Sequence, residues 1–306
     1  MNDVTMPLVD SDQRDRLVDR FGHGALDWLE RLPALVDEIA REWGLTIDGP
    51  AEHGRTSVVL RCRGSDDVPA ILKVSPDPGL LSSEARVLRL WENSRRVPEV
   101  WGVDPDRGAV LMEAIGQGHT VASIGEVPPM EEVGALINGL HSVDIPCHEA
   151  GELHPLLTRI NFLFELWEHR RAEGAAAAHV HPALLHRGHA HARELAHRGE
   201  DTVPLHGDLH PGNVLDGGQQ RGLVAVDPRA CMGDAAADGL EWPLWRATTL
   251  AEVEHRAAVL APLIGVSADR LLAWCRACAP LFAVAWANLG RSDTAEFTML
   301  LEMSSR

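Results

Sequence analysis

The sequence predicts an α+β chain in two parts, a small sheet-rich part followed by a larger, mostly helical one. Three observations carry this. Between residues 56 and 113, short runs rich in Val, Ile and Leu are separated by turn signals, Gly64-Ser65-Asp66-Asp67 and Asp104-Pro105-Asp106-Arg107-Gly108. After residue 118, apolar residues recur mostly at helical spacing. One stretch, Val203 to Asp227, interrupts that helical half with short apolar runs around a polar loop. The expected division is 1–113, a connector at 114–118 containing two glycines, and 119–306.

Residues Asp12–Leu32 read as a helix with breaks at Gly22 and Gly24. Pro33 is expected to start a second helix, in which Leu35, Val36, Ile39, Ala40 and Trp43 share a face and Gly44 supplies the C-cap. These helices read as a lead-in rather than a site. Strands are expected at Thr56–Arg63, Val68–Val74, Pro98–Val103 and Ala109–Glu113, with a helix at Ser83–Trp91 between the second and third. Helices are expected at Met130–Ser142, Pro155–Arg171, Pro182–His197, Ala235–Thr248, Ala251–Leu263 and Asp269–Leu289. Pro243 and Pro280 should kink or split the two they fall in.

Composition bounds the function. Forty-five acidic residues against 28 Lys and Arg give a net charge of −17, which disfavours a general nucleic-acid surface and suits a cationic small molecule. The start, Met1-Asn2-Asp3-Val4-Thr5, lacks the basic and apolar regions of a signal peptide. The apolar run Ala279–Ala287 is too short to span a bilayer. Five scattered cysteines fit a reducing cytoplasm, and Cys275 and Cys278 read as a helix face. No membrane attachment, nucleic-acid partner or obligatory protein partner is expected.

The chemistry concentrates in Leu205-His206-Gly207-Asp208-Leu209-His210-Pro211-Gly212-Asn213-Val214-Leu215. A short strand, a loop and a hairpin ending at Asp227 would bring a carboxylate, a carboxamide and a second carboxylate together. That set fits phosphoryl transfer: Asp208 orients an acceptor hydroxyl, while Asn213 and Asp227 offer hard oxygens to magnesium. Lys73 is the sole lysine of the chain and lies on a strand eleven residues before Glu84 on the next helix. A strand lysine of this kind is often a snorkelling edge residue. Held by a helix glutamate, it can instead grip nucleotide phosphates. Gly49-Pro50-Ala51-Glu52-His53-Gly54-Arg55-Thr56-Ser57 is the candidate phosphate loop, although it fits no glycine-rich motif. Asp234 is a natural N-cap with Asp238 in the following turn, and Glu241, Trp242 and Trp245 either pack or face a cationic acceptor. The histidines at 179, 181, 186, 189, 191 and 197 read as a solvated helix face, with zinc binding the alternative.

The motif His206–Asn213, followed by Val226-Asp227-Pro228 and Gly233-Asp234…Asp238, resembles the aminoglycoside phosphotransferase family. That family has a protein-kinase-like two-lobe fold, with a small antiparallel sheet in the first lobe and a mostly helical second lobe. Asp227-Pro228, Leu32-Pro33-Ala34-Leu35-Val36, Trp43-Gly44-Leu45, Ile71-Leu72-Lys73 and Leu140-His141-Ser142-Val143 resemble its streptomycin and hydroxyurea branch. The resemblance implies ATP, or GTP, together with Mg2+. It implies that Lys73 and Glu84 hold phosphates and that Glu113 forms the hinge beside the base. Asp208 would be the catalytic base and Asn213 and Asp227 the metal ligands. Asp234 and Asp238 would brace the second lobe beside the acceptor site. Gly207 stands where protein kinases carry arginine, and only eleven positions separate Asp227 from Asp238. Both favour a small-molecule acceptor, with an aminoglycoside-type antibiotic such as streptomycin first and hydroxyurea next. The alternatives are a metabolic alcohol, sugar or choline-like acceptor, a non-catalytic nucleotide-binding protein, or a zinc hydrolase built on the histidines.

Overall fold

The computed structural model describes residues 7–51, 56–197 and 202–306. The chain divides into two compact units, Met1–His119 with Leu215–Gly218, and Thr120–Val214 with Gln219–Arg306.

The first unit begins with α1 (Ser11–Phe21) and α2 (Gly24–Trp43). Asp10 caps α1 by accepting the Gln13 N–H, and Gly22 ends it at φ 75°. Pro33 does not start a helix as expected; it lies inside α2. The buried stripe Ala25, Leu32, Val36, Ile39 and Ala40 continues across it, so packing on both sides outweighs one lost backbone bond. Five strands follow, β1 (Thr46–Pro50), β2 (Val58–Arg63), β3 (Pro69–Val74), β4 (Val100–Asp104) and β5 (Ala109–Glu113), with α3 (Pro78–Leu90) between β3 and β4. The sheet is antiparallel in the order β1-β2-β3-β5-β4.

Strand β1 was not expected, because Asp48-Gly49-Pro50 reads as a loop. It is tolerated because β1 is an edge, where a proline interrupts no ladder between two strands, and a register shift falls at Ile47/Gly49. Gly49 and Pro50 of the expected phosphate loop therefore belong to this strand, and residues 52–55 lie outside the described residues.

Alternation along the sheet assigns its two faces. Val58, Leu60, Cys62, Ala70, Leu72 and Val74 pack with Leu17, Leu32, Val36 and Ile39 in one core. The helices α1 and α2 are thus the cover of the sheet rather than a lead-in. Lys73, one step out of phase with Leu72, falls on the opposite face.

The second unit comprises α4 (Val121–Ile124), α5 (Met130–His141), α6 (Cys147–Ala150), β6 (His154–Pro155), α7 (Leu156–Glu173), α8 (Pro182–His197), β7 (Val203–Leu205), most of a ribbon formed by β8 (Val214–Asp216) and β9 (Leu223–Ala225) with the short α9 (Gly218–Arg221) between, β10 (Cys231–Gly233), α10 (Ala236–Gly239), α11 (Glu241–Leu244), α12 (Leu250–Leu263), α13 (Ala268–Asn288) and α14 (Ala295–Ser305). The helix expected over Ala235–Thr248 is the short pair α10 and α11, with Pro243 in the second. Pro280 leaves α13 unbroken, since Leu271, Trp274, Cys275, Cys278, Leu281 and Val284 bury most of its circumference. Consequently the run Ala279–Ala287 sits in a 21-residue helix that is, by length and composition alone, long and apolar enough to cross a membrane. Most of that stretch is buried inside the unit, packed with α7, α8, α12 and α14. Cys275 and Cys278 are buried free thiols there.

A small sheet that the sequence did not disclose ties this unit together. β6 runs parallel to β10, and β10 pairs antiparallel with β7. A Cβ on Gly233 would lie 2.5 Å from the Leu156 Cβ, so glycine is what lets α7 start against β10.

Leu72 is fully buried in the first-unit core. Leu72→Ala should lower the unfolding free energy by about 2–5 kcal/mol in urea denaturation, whereas a loss below about 1 kcal/mol would contradict the packing described.

Candidate active site

The strand β7 delivers the chain into the polar loop, and a buried acid anchors its first two residues. Asp238 in α10 accepts the His206 N–H at 2.7 Å on one carboxylate oxygen and the Gly207 N–H at 2.9 Å on the other. His141, the last residue of α5, donates from Nε2 to the same carboxylate at 3.0 Å. Burial opposes ionisation of Asp238, but the His141 hydrogen bond, nearby His206 and the Gly207 N–H hold its carboxyl below the usual range. His206 is fully buried. Burial lowers its pKa, and its neutral ring bonds the loop internally: Nδ1 accepts the Asp208 N–H at 3.3 Å and Nε2 donates to the Val226 carbonyl at 3.0 Å. His210 likewise accepts the Gly212 N–H at 3.0 Å.

Asp208, Asn213 and Asp227 come together within this framework. Asn213 Nδ2 donates to the Asp208 carbonyl at 3.0 Å and to Asp208 Oδ2 at 3.3 Å. Its own carbonyl accepts the Val226 N–H at 2.9 Å, and the Arg229 N–H reaches the His206 carbonyl at 2.8 Å. Asp227 is therefore stitched to the loop on both flanks. Its φ of 58° is rare for a residue with a side chain, although aspartate tolerates it better than most. Because the Asn213 nitrogen is spent on Asp208, its Oδ1 is the atom left for a cation. A neutral amide oxygen beside a carboxylate is a donor set that magnesium accepts.

In the first unit, Lys73 Nζ and Glu84 Oε1 lie 2.6 Å apart, both about 5–6% exposed. Lys73 stands between Val59 of β2 and Val110 of β5 in the sheet, and Glu84 projects from α3. Glu113 ends β5, where its carboxylate accepts the Glu99 N–H at 3.2 Å. Its side chain thus reaches back to the main chain just ahead of β4.

The four residues expected beside the acceptor separate into two kinds. Asp234 accepts from Arg270 Nε and Trp274 Nε1, each at 2.6 Å, and from the Ala236 N–H at 3.1 Å, which ties the start of α10 to α13. Asp234, Asp238 and Trp242 are all buried, so an acceptor has no face of Trp242 to meet. Glu241 is half-buried, and burial together with the charge of Asp208 pushes its carboxyl up to about 8. It is the one of the four whose side chain keeps some exposure, and it lies close enough to Asp208 to feel its charge. Among the histidines, His179, His181, His186 and His197 are exposed. His189 instead stacks on Phe164 with ring centroids 4.8 Å apart and bonds Asn161 at 2.9 Å.

Arg159 was not foreseen. From the first turn of α7 it donates through Nη2 to Asp208 Oδ1 at 2.6 Å and through Nε to the Gly207 carbonyl at 3.0 Å. Leu157-Thr158-Arg159-Ile160 carries no motif, and 49 residues separate Arg159 from Asp208. The β6-β10-β7 sheet seats the start of α7 beside the loop.

The family model described as aminoglycoside/hydroxyurea antibiotic resistance kinase matches residues 42–290. The chain belongs to this family. Among relatives of this kinase family, a streptomycin 6-kinase from Streptomyces glaucescens is 29% identical over 266 residues, 83% of this chain and 82% of that protein. A hydroxyurea phosphotransferase from Kitasatospora aureofaciens is 30% identical over 266 residues, 83% of this chain and 73% of that one. Of solved structures, a choline kinase from Streptococcus pneumoniae superposes with a TM-score of 0.61 at 13% identity, covering 90% of this chain and 99% of that chain. This kinase-family member therefore has the protein-kinase-like fold expected, with a small antiparallel sheet and a mostly helical remainder, and it is a small-molecule phosphotransferase.

Glu241 gives a pH signature. Its pKa is raised from 4.5 to about 8 on folding, so the folded protein binds a proton that the unfolded chain releases. Stability should fall as pH rises through that interval and level off above it. Thermal melts of wild type and Glu241→Gln from pH 5 to 9 should show the variant gaining on wild type across the window; a constant difference would refute this.

Proposed function

We propose that the chain is an ATP-dependent, magnesium-requiring O-phosphotransferase that moves the γ-phosphate to a hydroxyl of an aminoglycoside-type antibiotic, streptomycin first, and so confers resistance. The observation that carries the substrate class is the match, over 83% of this chain, to a relative named for streptomycin phosphorylation. A net charge of −17 supports a cationic acceptor. In this reading residues 1–113 are the nucleotide lobe, 114–118 the connector and 119–306 the acceptor lobe. The four buried cysteine thiols support a cytoplasmic setting.

The residues divide the work as follows. Lys73, fixed by Glu84, holds the α- and β-phosphates. The backbone beside Glu113 meets the base. Asn213 Oδ1 and the Asp227 carboxylate would hold magnesium, which when bound would supply positive charge against that of the phosphates. Asp208 accepts the hydroxyl's hydrogen bond, directs its oxygen along the line of transfer and takes its proton as the oxygen–γ-phosphorus bond forms and the bond from the γ-phosphorus to the departing nucleoside diphosphate breaks. Asp238, through the His206 and Gly207 amides, keeps that carboxylate in place. Glu241 borders the acceptor. Hydroxyurea is the second acceptor, on the strength of the hydroxyurea phosphotransferase that matches the same share of this chain.

Purified protein should be assayed with ATP and with GTP against streptomycin, other aminoglycosides, hydroxyurea, choline and sugars, with mass analysis of the product. Transfer to an antibiotic is expected, at least about 100-fold slower in Asp208→Ala. Undiminished transfer by Asp208→Ala would sink the mechanism; transfer to choline or sugars alone would sink the substrate assignment.

A further inference from the structure

Protein kinases place an arginine immediately before the catalytic aspartate, and here that position is Gly207. The backbone explains why no side chain stands there. Gly207 has φ 75°, and a Cβ would lie 2.3 Å from the Arg229 carbonyl oxygen. The carbonyl of Gly207 and the carboxylate of Asp208 are instead gripped together by one guanidinium that arrives from α7.

We propose that Arg159 is the positioning residue of this active site, clamping the loop so that Asp208 Oδ1 is fixed and Oδ2 is presented to the acceptor hydroxyl. This rests on the phosphotransferase reading above. The two bonds, 3.0 Å to Gly207 and 2.6 Å to Asp208, fix a main-chain atom and a side-chain atom of consecutive residues with one rigid planar group. They leave the Asp208 side chain little rotational freedom. Oδ2 is touched by Asn213 Nδ2 at 3.3 Å, a long bond that leaves it a lone pair for the substrate.

The origin of Arg159 is itself held. It is the fourth residue of α7, whose first residue, Leu156, packs directly on Gly233 of β10, and β10 pairs with β7 just ahead of the loop. Guanidinium and carboxylate thus hang from one small sheet. Phe162, one helical turn along, lies under the guanidinium with its ring centre 5.8 Å away, and the Arg159 side chain is only 15% exposed. The guanidinium end of the bridge is therefore largely shielded from the solvent that makes surface ion pairs weak, while the Asp208 side chain, 32% exposed, remains open to an acceptor.

The test is steady-state kinetics of wild type, Arg159→Ala, Arg159→Lys and Asp208→Ala with the acceptor found above, alongside thermal melts. Arg159→Ala should lower kcat by about 10–100-fold with KM for nucleotide and acceptor held within about twofold. Arg159→Lys should fall between, since an ammonium makes one of the two bonds well but not both. Added methylguanidine should restore part of the Arg159→Ala rate and none of the Asp208→Ala rate. A kcat within about twofold of wild type, a loss carried by either KM, or a loss that neither lysine nor methylguanidine relieves would overturn the proposal. If wild type transfers phosphate and Asp208→Ala does not, such a failure belongs to Arg159 alone; no transfer by wild type fails the phosphotransferase reading and takes this one with it.

Discussion

The carboxylate of Asp238 is the group on which the second unit's chemistry hangs. Burying a charge is costly, and this one is offset by donors aimed at both oxygens: two consecutive main-chain amides and an imidazole. Those amides belong to the two residues that precede Asp208. The last turn of α5, the start of α10 and the exit from β7 are therefore joined at one point. A loop that would otherwise sample many conformations is reduced to few, and the entropy lost is offset in the fold rather than at the moment of reaction.

The same economy recurs around it. His206 bonds inward at both ring nitrogens, Asn213 spends its nitrogen on Asp208, and Asp234 gathers an arginine, an indole and a main-chain amide. Each polar side chain is turned so that a single functional atom remains for a ligand, or none. Rigidity of this sort is what a loose phosphoryl-transfer step asks of a protein, since positioning and charge supply most of the catalysis. The first unit repeats the device on a smaller scale in the Lys73–Glu84 pair, set on the face of the sheet that α1 and α2 leave uncovered.

Much of this was legible in the sequence, and the exceptions have physical causes. The strand holding Lys73, the helix holding Glu84 and the order of Asp208, Asn213 and Asp227 all follow from period and spacing, because those signals are local. Strand β1 was hidden because glycine and proline mark loops in general, whereas an edge strand tolerates them. Pro33 reads as a helix start and Pro280 as a kink or split because propensity ignores the packing that carries α2 and α13 on without interruption past them. Trp242 could not be assigned to a core or a pocket, since one aromatic in a four-residue helix has no periodicity to read. Arg159 was invisible for a different reason: its partners are distant in the chain, and the two-residue strand β6 that aligns them is too short to leave a pattern.

Lys73 has one more consequence. It is the only lysine in 306 residues, every other basic side chain of fixed charge being arginine, and it is buried against a glutamate. The folded molecule consequently presents no lysine amine on its surface. Acylation, ubiquitin attachment and amine-coupled dyes or supports, where they act on lysine, would find no exposed side-chain target. Any such reagent that did attach to a lysine would report a single event, the opening of one ion pair, and the extent of labelling would count how often that pair comes apart.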